Sequence, residues 1–139
     1  MKARVKWVEG KTFLGESQSG HAVVMSAPMS PGAAINAPSP MEYLLLGTGG
    51  CMSVDVMMIL QKGRHDIRDC ELELDSERPS EDPKIFTKIH MHFRITGKGL
   101  KPDAVQRAID LAGEKYCSAS IMLGKTAQIT HDFEIIEAA

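Results

Sequence analysis

The chain has 139 residues, with 16 Lys and Arg against 18 Asp and Glu, a net charge of −2. That balance gives no basic footprint for nucleic acid. Hydrophobic residues make up 43% and charged residues 24%, the composition of a globular chain, and the length fits one domain, 1–139, able to bury a core without disulfide staples. The first ten residues are charged and alternating, with no apolar leader. Residues 41–60 are long and apolar enough to suggest a membrane span. Glu42, Asp55 and three glycines within them argue for a buried core helix instead. Cysteines at 51, 70 and 117 are widely spaced, as expected in a reducing cytoplasm where persistent disulfides are rare.

In chain order, Lys2, Arg4 and Lys6 alternate with Ala3, Val5 and Trp7, predicting a half-buried strand. Two short strands follow at 12–15 and 21–26, and Pro28, Pro31, Gly32 and Pro38 mark 27–39 as a loop. The next helix start is well defined: Ser39 as N-cap, Pro40 at the first helical position and Glu42 completing Ser-x-x-Glu. Gly63 predicts its stop. This helix is apolar almost all round and is expected to be buried on most sides. Gly47, Gly49 and Gly50, each costing about 1 kcal/mol relative to alanine inside a helix, imply that something packs closely against it.

A hairpin is expected over 67–75 and 85–95. Cys70, Leu72 and Leu74 share one face with Ile89, Met91, Phe93 and Ile95; Glu71, Glu73 and Asp75 share the other with Lys88, His90, His92 and Arg94. Pro102 opens a second helix running to about Cys117, a short helix starts near Ser120, and a strand over 127–136 closes the chain. The order βββ-α-ββ-αα-β indicates α+β with a largely antiparallel sheet.

Several side chains are candidates for chemistry. Cys51 lies mid-helix, beyond the reach of the helix dipole, and buried free cysteine commonly serves as a small hydrophobe. Asp55, one turn on, opposes a Cys51 thiolate if it faces it unpaired. Cys117 precedes a helix start, where free amides favour a thiolate. Cys70 alternates with core leucines and reads as structural. Glu42 is accounted for by the capping box. His90 and His92 share a strand face that could bind metal, although a solvated basic face opposite acidic residues explains them better. The cysteines show no CxxC or CxxxxH spacing, so no zinc site is expected. Gly47–Gly50 lack dinucleotide-binding spacing, and no serine nucleophile elbow occurs.

With these residues in place, the chain resembles the OsmC/Ohr superfamily (osmotically inducible protein C and organic hydroperoxide resistance proteins) and, in its details, the YhfA-like subgroup. The anchors are the N-terminal hairpins, Pro-Ser-Pro-Met-Glu-Tyr-Leu-Leu-Leu-Gly-Thr-Gly-Gly-Cys at 38–51 and Glu-Lys-Tyr-Cys-Ser at 114–118. The resemblance implies largely antiparallel sheets around long central helices in an intertwined homodimer. It also implies a thiol-dependent hydroperoxide reductase in which Cys51 attacks the peroxide and Cys117 resolves the sulfenic acid, with Glu42 in support, a dithiol reductant and no cofactor. The chain departs from the family pattern at the usual glutamate, where Met41 stands with Glu42 one residue late. The resemblance also implies an active-site arginine from an N-terminal hairpin, but no arginine occurs between Arg4 and Arg64, and Ser118 replaces the proline after the second cysteine. An unperturbed thiol, with a pKa of about 8.5, is only a few per cent ionised at pH 7, so losing both activators implies weakened or altered activity. The alternative on the same scaffold is a non-catalytic small-ligand-binding or structural dimer.

Overall fold

The computed structural model describes residues 1–139 and has an α+β architecture with two three-stranded sheets. The chain forms two compact units, Met1–Leu46 and Gly47–Ala139.

In the first unit, β1 (Ala3–Glu9), β2 (Thr12–Ser17) and β3 (Ala22–Ser26) make an antiparallel meander. The strands match the sequence reading, but the burial of β1 does not: every residue in it is exposed within the chain, Trp7 by 59%. The first turn of α1 (Pro40–Lys62) carries the expected capping box. The Ser39 amide donates to Glu42 Oε1 at 2.9 Å and the Glu42 amide to Ser39 Oγ at 3.2 Å. Tyr43 donates its hydroxyl to the Val24 carbonyl at 2.6 Å, tying this turn to β3.

The second unit holds the well-packed core. Here β4 (Asp66–Glu77) pairs antiparallel with the central β5 (Lys88–Lys98), and β5 pairs in parallel with β6 (Gln128–Glu137). A parallel pair needs a long crossover, supplied by α2 (Pro102–Leu111), a π-helical turn (Ala112–Tyr116) and α3 (Ser118–Leu123). The period-2 reading of the sheet holds in register: Cys70 faces Ile95, Leu72 faces Phe93 and Leu74 faces Met91. Ile89, Met91, Phe93 and Ile95 are fully buried, with Val105, Ala108 and Ile109 of α2. On the other face, Arg94 Nη1 reaches Glu73 at 2.7 Å and Glu71 at 3.2 Å, while its Nε lies 3.3 Å from Glu134.

The expectation that α1 is buried on most sides needs correction. Thr48, Gly49, Met52, Val56 and Leu60 are its buried residues, and at 100° per residue they span only about a third of its circumference. Gly50, Val54 and Met58 are exposed within the chain. Apolar composition alone suggests all-round burial, whereas a single chain covers one arc. The helix has the length and hydropathy of a membrane span, yet this arc is packed into protein, and full burial of Met52, Val56 and Leu60 contributes roughly 1.5–3 kcal/mol each before entropy is counted.

Two glycines permit close approaches of different kinds. A Cβ on Gly49 would stand 2.7 Å from Leu74 Cδ1, the movable end of a side chain, whereas one on Gly97 would run into the Asp66 carbonyl and Leu100. Gly97→Ala is therefore expected to cost about 1–3 kcal/mol through overpacking. Gly49→Ala should cost clearly less, because the helix gains roughly 0.5–1 kcal/mol from replacing glycine. Parallel urea or thermal melts of the two variants check this ordering.

Candidate functional site

The second unit brings together residues far apart in sequence. Cys51 and Asp55 are one turn apart on α1, and Cys117 lies at the junction between the π turn and α3. The two sulfur atoms and an Asp55 carboxylate oxygen all lie within 4.8 Å of one another. All three cysteines are free thiols. Cys51 and Asp55 are half-buried, whereas Cys117 is fully buried. No lysine or arginine forms a salt bridge with Asp55.

Local backbone geometry holds Cys117 in place. Its amide bonds the Ala112 carbonyl at 2.7 Å, closing a π turn, a feature often found at functional sites. As the N-cap of α3, it accepts the Ser120 amide on its sulfur at 3.3 Å. The free amide expected from the sequence is therefore present and favours a thiolate, but it does not prevail. Burial, reinforced by the neighbouring Cys51 thiol, pushes the Cys117 thiol up to about 11.

The other sequence candidates lie elsewhere. Cys70 is on the core-facing side of β4, where burial and Asp69 raise its thiol pKa. Glu42 holds the N-terminus of α1 in its capping box. His90 and His92 share Asp132 Oδ1, at 2.9 and 2.7 Å, and His90 also bonds the Thr130 hydroxyl at 2.6 Å. They thus join a ladder of polar contacts on the outer sheet face.

Two features had no clear sequence signal. Asp55 was legible only as a possible opponent of Cys51, because its approach to Cys117 depends on the crossover. A cleft of about 440 Å³ beside α3 is lined by Asp110, Glu114, Ser120, Lys125 and His131. Gly113 lets the His131 ring in closely: a Cβ there would stand 3.2 Å from His131 Cε1. His131 Nε2 is buried without a hydrogen-bond partner, and burial lowers the pKa of this imidazole.

These two histidines have opposite linkage to folding. The depressed pKa of His131 means that the unfolded chain takes up its proton first as pH falls, so its contribution is present above about pH 6.5 and lost on acidification. The hydrogen bond to Asp132 raises the pKa of His92, so its contribution is present below about pH 6.5 and lost as pH rises through the folded value. An imidazole NMR titration is expected to give a His131 midpoint below that of free histidine and a His92 midpoint above it. Asp132→Asn should move the His92 midpoint down and leave His131 below the free value.

Comparison with known proteins places this chain in a family. Residues 32–132 match the family model described as OsmC-like protein. The chain is 54% identical over 138 residues to protein YhfA of Escherichia coli strain K12, covering 99% of this chain and 100% of that protein. Among solved structures, a hypothetical protein from Aquifex aeolicus VF5 is 25% identical with a TM-score of 0.87, covering 99% of this chain and 97% of that one. An organic hydroperoxide resistance protein OsmC from Legionella pneumophila shares the fold at 16% identity and a TM-score of 0.73, over 96% and 95% of the two chains. The chain belongs to the OsmC-like protein family.

Proposed function

We propose that the protein is a thiol-dependent hydroperoxide reductase of weakened or altered activity, formed by one OsmC-like domain over 1–139 and acting in a reducing cytoplasm. Family membership supports a redox or peroxide-resistance role. The observation that carries the reading to this chain is the pair of free thiols, Cys51 and Cys117, within 4.8 Å of each other.

Their environments divide the labour. Cys51 is the more accessible thiol and attacks the peroxide O–O bond, releasing an alcohol and becoming a sulfenic acid. Cys117, buried and reluctant to ionise, reacts only once that sulfenic acid stands beside it. Its sulfur then displaces the hydroxyl as water and forms the disulfide. An external dithiol restores both thiols by exchange. No bound cofactor enters this cycle. A groove of about 490 Å³ lined by Met58, Ile59, Lys62, Gly63, Leu111 and Tyr116, the residue before Cys117, offers apolar surface for an alkyl hydroperoxide tail. No arginine occurs between Arg4 and Arg64 to activate Cys51 from the N-terminal hairpins, so attack is slow.

The second part of the proposal is a homodimer. Added Cβ atoms on Gly47 and Gly50 would meet nothing within 4 Å, and Val54 and Met58 continue the same helix face at 65% and 52% exposure. Small residues beside an exposed apolar stripe fit a second copy of the helix. Neither a nucleic acid nor a membrane partner is part of this reading.

One equivalent of cumene hydroperoxide added to reduced protein is expected to give a Cys51–Cys117 disulfide, detected by mass spectrometry as the loss of two hydrogens. Cys51→Ser should abolish both the product and peroxide consumption; unchanged consumption in that variant would refute the reading. Sedimentation is expected to show a dimer. Gly50→Leu, unobstructed within the chain, should divide it into monomers.

A further inference from the structure

We infer that Cys51, Asp55 and Cys117 form a binding site for a thiophilic divalent cation, with Zn²⁺ the best match. The inference uses the thiol pair assigned above but asks a different chemistry of it. The donor set is two sulfurs and one carboxylate oxygen, mutually within 4.8 Å. Zinc bonds of about 2.3 Å to sulfur and about 2.0–2.2 Å to oxygen set neighbouring tetrahedral ligands roughly 3.5–3.8 Å apart. A contraction of at most about 1 Å closes the cluster, within reach of side-chain rotation about half-buried Cys51 and Asp55.

The scaffold supports the site from two directions. Cys51 and Asp55 at i and i+4 project from neighbouring positions on one helix face, while the π turn and the Ser120 amide hold Cys117 opposite them. Cys51 and Asp55 leave one side open to solvent, so the fourth coordination position can take water, the pattern of three protein ligands and an open position found in reactive zinc sites. Two thiolates and one carboxylate bring a dication to a net charge of −1. Asp55 has no salt-bridge partner to give up. Sulfur donors select zinc over magnesium or calcium, which prefer all-oxygen sets. On binding, each thiol releases its proton to solvent as its metal–sulfur bond forms. Local zinc-binding spacing is absent from the sequence because the third ligand arrives through the crossover between β5 and β6. A bound cation holds both sulfurs and so withholds the thiol pair from peroxide.

The test uses the reduced full chain under argon, titrated with Co²⁺ as a spectroscopic probe and then with Zn²⁺. The expected result is one Co²⁺ per chain, with sulfur-to-cobalt charge-transfer bands and tetrahedral visible bands that Zn²⁺ bleaches. Cys51→Ser and Cys117→Ser should each remove charge-transfer intensity and weaken binding beyond the roughly 10–100-fold typical of losing an outer-shell partner. Asp55→Asn should weaken it by at least about tenfold, and Cys70→Ser should leave it unchanged. Circular dichroism checks the fold of each variant; if Cys117→Ser does not fold, the near-isosteric Asp55→Asn decides. Absence of the charge-transfer bands, wild-type affinity in Asp55→Asn, or loss of the bands in Cys70→Ser would overturn the site. Disulfide formation is measured separately in chelator-treated protein. A chain that forms the disulfide without binding cobalt loses only the cation site, and one that binds cobalt without forming the disulfide loses only the redox reading.

Discussion

The burial of one narrow arc of α1 governs most of the molecule's chemistry. Thr48, Gly49, Met52, Val56 and Leu60 occupy that arc, with Leu74 so close to Gly49 that a side chain there would displace it. Because successive residues turn by 100°, packing this arc fixes the rotation of the whole helix. Cys51 and Asp55 then fall on the border between the packed arc and the exposed apolar stripe of Gly50, Val54 and Met58. They are sheltered enough to be positioned and open enough to be reached. Had α1 been buried all round, Cys51 would have been only another core residue.

Electrostatics distinguishes the inner and outer faces of the second unit. On the outer sheet face, Arg94, His90 and His92 meet Glu71, Glu73, Asp132 and Glu134 in a ladder of polar contacts, those of Arg94 being ion pairs. Solvent screens such pairs, so each contributes little to stability, but together they favour one strand register. Inside, Cys117 shows the opposite balance. One amide hydrogen bond cannot repay the desolvation of a thiolate, and the thiol remains protonated. A sulfur in that state is a poor first nucleophile but a well-placed second one, which supports the asymmetric roles proposed for the pair.

The departures from the family pattern also have a structural expression. Glu42, one residue later than the usual glutamate, serves as the reciprocal partner of Ser39 at the helix start. The charged group beside the thiols is Asp55, an acid where the resemblance implies an arginine. A carboxylate next to two thiols completes a donor set for a dication. One cluster can therefore be slow toward peroxide and receptive to soft metal.

Local rules carried a large part of this structure. The alternation in β4 and β5 named both faces of the hairpin and their charge complementarity. Ser39, Pro40 and Glu42 marked the first turn of α1, because a capping box acts over only four residues. The family pattern at 38–51 and 114–118 then linked two distant cysteines. Tertiary structure alone decided the rest. The parallel pairing of β6 depends on a long crossover with no local signature. The arc of α1 that is buried depends on which surface meets it, since its apolar residues run almost all the way round. The raised pKa of Cys117 and the meeting of Asp55 with both thiols depend on burial and distance. These quantities arise only when the π turn and Cys117 close against α1, because desolvation and ligand geometry are properties of a packed environment rather than of residue order.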